Sequence, residues 1–100
     1  MRVVVNGGGL VGCVAALYFK RLGVDVAVYE KRADLRTLTA ETGRSINLIL
    51  TSRGIHALQN LGVLNEALAL CVPVQGRVMH SVQGELTYQP YGISEKEVNY

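Results

Sequence analysis

Two cysteines, no run of basic residues and no long apolar stretch set the limits on what this 100-residue sequence encodes. Cys13 and Cys71 are too few for the disulfide frameworks that hold small secreted domains together, so a reducing, cytoplasmic setting is expected. A net charge of +2 without a Lys/Arg cluster gives no reason to invoke nucleic acid or an anionic membrane as a partner. The apolar stretches are interrupted by Gly, Lys or Arg well before the roughly 20 residues that a bilayer span requires. Met1 meets the first apolar run almost at once, which predicts no signal or transit peptide. Metal-ligand spacing is also missing. His56 has no Cys, Asp or second His at ligand distance along the chain, and a surface or half-buried histidine is expected there. Internal repeats and low-complexity segments are absent, and a composition with 49% hydrophobic and 18% charged residues is that of a soluble globular chain.

Glycine, by contrast, is concentrated in one place. The run Gly7-Gly8-Gly9-Leu10-Val11-Gly12 follows a short apolar strand, Arg2 to Val5, and opens an apolar helical pattern from Leu10 to Leu22. A second strand, Val24 to Tyr29, ends at Glu30. Strand, glycine loop, helix, strand and terminal acid together form a dinucleotide-binding βαβ unit, and each glycine has its own reason. Gly7 permits the tight turn, Gly9 lets the backbone approach a pyrophosphate, and Gly12 lets helix and strand pack closely. The helix N-terminus offers free N–H groups and the positive end of its dipole to phosphates. Because a helix separates them, the two strands should be parallel with a right-handed crossover, and a ligand should lie beyond their carboxyl ends. A carboxylate at that point accepts hydrogen bonds from a ribose diol and repels a 2′-phosphate, so Glu30 predicts NAD or the ADP half of FAD rather than NADP. Lys31 and Arg32 follow within reach of the same ribose or pyrophosphate.

Several positions near this unit carry further expectations. Asn6 stands where an apolar residue usually underlies the loop, and a buried amide there needs partners. Leu10, Val14, Leu17 and Arg21 lie on adjoining helical turns, with Ala15 and Ala16 small enough for close approach to a sheet. Lys20 and Arg21 suit the end of the dipole, and Gly23 supplies the stop. Cys13, in the first helical turn, reads as a small buried residue more simply than as an activated thiol.

Downstream, residues 33–42 are polar and read mostly as loop. The stretch Gly43-Arg44-Ser45-Ile46-Asn47-Leu48-Ile49-Leu50 reads as a strand, with Thr51-Ser52 as helix cap. Ile55, Leu58 and Leu61 share one face of a helix that Gly62 ends, and Leu64 to Leu70 forms a second short helix. From Val74 to Gln89 the alternation predicts a hairpin turning at Gln83-Gly84, with Arg77 and His80 on opposite faces. The fold class expected is α/β: a Rossmann-like βαβ start, a strand-helix segment, then a β-hairpin. The division expected is residues 1–72 as part of an FAD-binding domain and 73–100 as the start of a substrate-binding sheet. One hundred residues is short for a fold of two βαβ halves, since domains typically run about 100–150 residues. A truncated chain is the expectation.

The ordered motifs resemble the aromatic-ring flavoprotein monooxygenases, in particular those that hydroxylate L-kynurenine. The resemblance is carried by the glycine run, by Val28-Tyr29-Glu30-Lys31-Arg32, and by Arg44-Ser45-Ile46-Asn47-Leu48 with Ser52-Arg53-Gly54 behind it. It continues through Pro73, Arg77 and His80-Ser81 to Pro90-Tyr91-Gly92. It implies FAD as cofactor, with Val11, Tyr29, Glu30, Lys31, Arg32 and Ile49 lining it beside Gly7, Gly9 and Gly12. It implies that Arg77 pairs with the substrate carboxylate and that Tyr91 hydrogen-bonds the same group; no catalytic side chain is assigned. NADPH would reduce the flavin, and dioxygen would supply the oxygen placed beside the ring amine, yielding 3-hydroxykynurenine in tryptophan degradation. A Gly-Asp segment that completes the FAD site would lie beyond residue 100, so the chain is expected to be an inactive N-terminal portion. In a eukaryotic source the parent protein would sit at the mitochondrial outer membrane. Two alternatives stay open: a related hydroxylase with another substrate, or a nucleotide-binding remnant without activity.

Overall fold

The computed structural model describes residues 1–37, 46–94 and 97–100. They form two compact units, Met1–Ile46 and Asn47–Tyr100.

The first unit is the βαβ element. Strand β1 (Arg2–Asn6) and strand β2 (Asp25–Tyr29) pair in parallel, in a register running from Arg2 opposite Asp25 to Asn6 opposite Tyr29. Helix α1 (Leu10–Arg21) connects them and packs on both. The face it turns inward matches the expected stripe only in part. Gly12, Val14, Ala15, Ala16, Tyr18 and Phe19 are half-buried, whereas Leu10 and Leu17 stay 71% and 47% exposed. Gly12, Ala15 and Ala16 bring the helix axis close to the sheet, where a leucine would hold it away. At the C-terminus Gly23 takes φ +74, its N–H bonds to the Lys20 carbonyl, and the Val24 N–H bonds to the Phe19 carbonyl. Two carbonyls that the helix end would leave bare are thereby satisfied.

In the second unit, helix α2 (Ser52–Leu61) and helix α3 (Leu64–Leu68) pack together. Leu61, at 3% exposure, is the one buried hydrophobic residue among those described, and Ile55 and Leu58 share its face as the spacing predicts. Thr51 is the cap residue by position, but its side chain makes no capping bond. His56 is exposed, its Nε2 lying 3.1 Å from Asn60 Nδ2. The hairpin forms as expected, from β3 (Gly76–His80) and β4 (Leu86–Pro90), antiparallel, with Arg77 opposite Gln89. Ser81 closes its turn, donating its N–H to the Glu85 carbonyl and accepting the Glu85 N–H on its hydroxyl.

The strand expected over 43–50 is corrected in part. Residues 43–45, including Arg44 and Ser45, lie outside the described residues, as do 38–42 of the expected loop. Residues 46–50 run without strand structure. A strand needs a ladder, and among the described residues only Leu50 of this stretch is paired, exchanging two backbone hydrogen bonds with Tyr100. Val74 bridges Asn99 in the same antiparallel manner. The functional division expected at 72/73 therefore falls inside the second unit, where these returning bonds tie residues 97–100 to both sides of it.

Candidate nucleotide site

The glycine loop and Glu30 meet at the carboxyl ends of β1 and β2, and the three glycines play three separable roles. Gly7 has φ +110, a conformation that L side chains rarely adopt, and its N–H bonds to the Tyr29 carbonyl at 2.7 Å. A Cβ on Gly12 would collide with the Gly7 carbonyl and come within 3.3 Å of Val5 Cγ1, so close packing excludes any larger residue. Gly9 differs. It has φ −73, and a Cβ there would meet nothing within 4 Å. Neither backbone strain nor a neighbour demands glycine at Gly9, which leaves space where a ligand can approach the backbone.

Glu30 is bonded on both oxygens. Oε2 accepts the Gly8 N–H at 2.8 Å, and Oε1 accepts the Arg32 N–H at 2.8 Å with Arg32 Nε at 3.5 Å. The Arg32 N–H first, then the Gly8 N–H, hold the carboxyl below the usual carboxylate range, with the Arg32 charge assisting. Glu30 is therefore an anion when the loop is formed, and it fixes the loop to the end of β2. Oε2, with the Gly8 N–H as its one donor, keeps acceptor capacity of the kind a ribose diol requires.

Glu30 lines two open clefts. One, of about 510 Å³, is bounded by Cys13, Arg32, Ala33, Asp34 and Arg36 as well as by Gly8 and Glu30. The other, of about 620 Å³, is bounded by Asn6, Gly7, Tyr29, Lys31 and Arg32 together with Glu30. Helix α1 begins at this junction with no side-chain cap and no acid in its first turn, so its leading N–H groups are available to an anion. These features fit the ADP portion of a dinucleotide: donors for the pyrophosphate, bare space at Gly9, and a carboxylate for the ribose.

Two expectations are corrected here. Asn6 is exposed on the wall of the second cleft, because β1 has already emerged from beneath the loop at that point. Cys13 is exposed too, lining the first cleft with its thiol directed to the Gly8 carbonyl at 3.3 Å. Of the remaining candidates, Tyr29, Lys31 and Arg32 are gathered with Glu30. Val11, 84% exposed in the first turn of α1, lines neither cleft. Ile49 stands in the second unit, 48% exposed on the irregular segment before Leu50.

Arg77 and Tyr91 also belong to the second unit, and its register relates them. Arg77 Nε donates to Gln89 Oε1 at 2.7 Å across the ladder. Pairing continues past β4 through a bond from the Tyr91 N–H to the Gln75 carbonyl at 2.9 Å. Strand alternation thus sets Tyr91 on the face of Gln89 and Arg77, a diagonal neighbour of the guanidinium. Among the described residues no carboxylate pairs with Arg77.

The Asp34–Arg36 pair was not singled out by sequence reasoning. Arg36 Nη2 lies 2.6 Å from Asp34 Oδ2, and the Arg36 guanidinium, followed by its backbone N–H, pulls the Asp34 carboxyl down to about 2. The available signal was an acid two residues before an arginine in an otherwise unpatterned stretch.

The sequence pattern of the pyridine nucleotide-disulphide oxidoreductases matches residues 2–65. Cys13 is the only cysteine in that segment, so within it no dithiol pair exists to serve the disulphide chemistry in the family's description. Individual relatives match across both units. The chain is 47% identical to a kynurenine 3-monooxygenase of Myxococcus xanthus over 95% of its own length and 20% of the relative's. It is 48% identical to one of Salinispora arenicola, over 97% of this chain and 22% of that protein. The corresponding figures for a Drosophila melanogaster protein of the same description are 42%, 98% and 23%. The chain thus spans about a fifth of the length of the curated relatives it matches. Among the described residues, no helix is long and apolar enough to cross a membrane.

Proposed function

This chain belongs to the pyridine nucleotide-disulphide oxidoreductase family, and from that premise we propose that it supplies the ADP-binding part of an FAD-dependent hydroxylase acting on L-kynurenine. One observation carries the nucleotide half of this reading. The Glu30 carboxylate is held by the Gly8 N–H beside a Gly9 that only a ligand would require to be glycine. Leading N–H groups of α1 hold the pyrophosphate, and the Glu30 carboxylate takes the ribose hydroxyls while repelling a 2′-phosphate. FAD, when bound, supplies the redox chemistry by which NADPH and dioxygen are consumed in ring hydroxylation.

The substrate half rests on the named relatives and on the hairpin face. The Nη groups of Arg77 form a fork suited to a carboxylate, and the Tyr91 hydroxyl adds a directional donor beside it. Gln89, by occupying Nε, orients that fork.

Titration with ADP and with its 2′-phosphorylated analogue tests the nucleotide half. ADP is expected to bind more tightly, and Glu30→Gln to weaken it by about tenfold, since charged acceptors make the stronger hydrogen bonds. Equal affinity for the two ligands would overturn the assignment of Glu30 to the ribose. Acid should mimic the substitution. The lowered Glu30 carboxyl contributes fully above its ordinary value of 4.5, and its contribution disappears as pH falls through the lower folded-state value. The enzyme half is tested by the reading frame beyond Tyr100, where an in-frame Gly-Asp segment supports a hydroxylase and its absence favours a nucleotide-binding remnant. Residues 1–100 alone are expected to bind nucleotide without turning over L-kynurenine when FAD and NADPH are supplied.

A further inference from the structure

The cleft beside Glu30 has a wall to which the ribose and pyrophosphate contacts give no role. Residues Leu35–Thr37 form a single 3-10 turn, and Asp34 organises it from the front. The Asp34 side chain accepts the Arg36 N–H at 3.0 Å, and its carbonyl accepts the Thr37 hydroxyl at 2.7 Å and the Thr37 N–H at 3.0 Å. The same carboxylate grips the Arg36 guanidinium side-on. Nε lies 3.0 and 3.1 Å from the two oxygens, and Nη2 lies 2.6 Å from Oδ2.

This arginine is thus fixed in plane and position, yet its side chain remains 90% exposed. An exposed ion pair contributes little to stability, because water screens it and ordering two side chains costs entropy. Fixing Arg36 has a clearer use in recognition. Its Nε–Nη2 edge is taken by Asp34, whose charge also offsets that of the guanidinium, so the pair is a weaker anion clamp than an unpaired arginine. The outer Nη edge and the two planar faces remain. A guanidinium face attracts and stacks upon an aromatic ring. Once Glu30 holds the ribose, the base attached to that ribose is the aromatic ring closest to this cleft, which Ala33 and Arg36 line together with Glu30.

We propose that Arg36, held flat by Asp34, is the stacking wall of a purine subsite in this cleft, and therefore a determinant of adenine binding. The proposal rests on the nucleotide reading given above, and its test separates the two. The full 100-residue chain is titrated with ADP and with ribose 5-diphosphate, which keeps the sugar and phosphates but lacks the base. Saturation-transfer NMR on ADP then compares the adenine H2 and H8 protons with ribose H1′.

Arg36→Ala is expected to weaken ADP by about fivefold while leaving ribose 5-diphosphate unchanged, and to lower saturation of H2 and H8 relative to H1′. Arg36→Lys should behave like Arg36→Ala, because an ammonium has no planar face. Asp34→Asn should fall between them and the unsubstituted chain. Retained binding of ribose 5-diphosphate shows that each variant is folded. If Arg36→Ala leaves ADP affinity and adenine saturation unchanged while Glu30→Gln weakens ADP, the stacking wall is overturned and the nucleotide site stands. If Arg36→Ala weakens both ligands equally, Arg36 acts as a general cation and the stacking role falls. If the unsubstituted chain binds neither ligand, the nucleotide reading falls and takes the inference with it.

Discussion

The two candidate sites are built from different materials. At the glycine loop the proposed recognising groups are mostly backbone: the turn at Gly7, the open space at Gly9 and the leading N–H groups of α1, with Glu30 as the main side chain. On the hairpin they are side chains, Arg77 and Tyr91, on a two-stranded ladder whose β4 residues are all exposed. Backbone groups are positioned by the fold itself, so the first site is fixed as soon as β1, α1 and β2 associate. Side chains on an uncovered ladder are oriented only by neighbours such as Gln89. Loss of one residue should therefore act differently in the two places: structurally at the loop, chemically at the hairpin.

The sharpest way to break that contrast is at Gly12. Gly12→Ala places a methyl group against the Gly7 carbonyl, and overpacking of this kind costs roughly 1–3 kcal/mol. The expected result is a lower melting temperature with loss of nucleotide binding, and a variant that melts like the unsubstituted chain would refute the packing role. A smaller effect is expected at Arg77. In the protein encoded by the whole reading frame, Arg77→Ala should weaken L-kynurenine by about fivefold and leave the melting temperature unchanged, since the loss is one charged contact. A fall in melting temperature equal to that of Gly12→Ala would erase the distinction.

The smallest effect concerns Asp34. Its carboxyl carbon shift should titrate near 2, and in Arg36→Ala the midpoint should return toward the ordinary 3.8. The sign follows from the lowered value: the pair's contribution is complete above the ordinary range and disappears as pH falls through about 2. A midpoint that does not move on substitution would show that Arg36 is not what holds Asp34.

The βαβ unit was legible because its signals are local. Apolar runs, a glycine cluster and a terminal acid lie within thirty residues, and the ladder from Arg2–Asp25 to Asn6–Tyr29 follows from them. The hairpin was legible for the same reason, through alternation and Gly84. The inward face of α1 was legible in Ala15 and Ala16, whose size suits close approach to a sheet, whereas the exposure of Leu10 and Leu17 was not, because hydrophobicity alone favours burying them. Asn6 and Cys13 were misjudged because burial at the mouth of a loop depends on where the backbone surfaces, and one residue of offset turns an interior position into a cleft wall. Asp34 and Arg36 were passed over because a side-on pair two residues apart follows neither helical nor strand periodicity. Residues 46–50 have strand-like composition, but composition does not reveal whether a partner strand exists.

Helix α1 is closed at one end and open at the other. The paired bonds at Gly23 and Val24 finish its C-terminus, while no side chain finishes its start at Gly9. An anion that settles on the first turn therefore completes the helix as well as filling the site. Amide protons of Leu10, Val11 and Gly12 then exchange with solvent more slowly when the site is filled, and their exchange rates become a gauge of occupancy that needs no turnover, no flavin colour and no knowledge of the substrate.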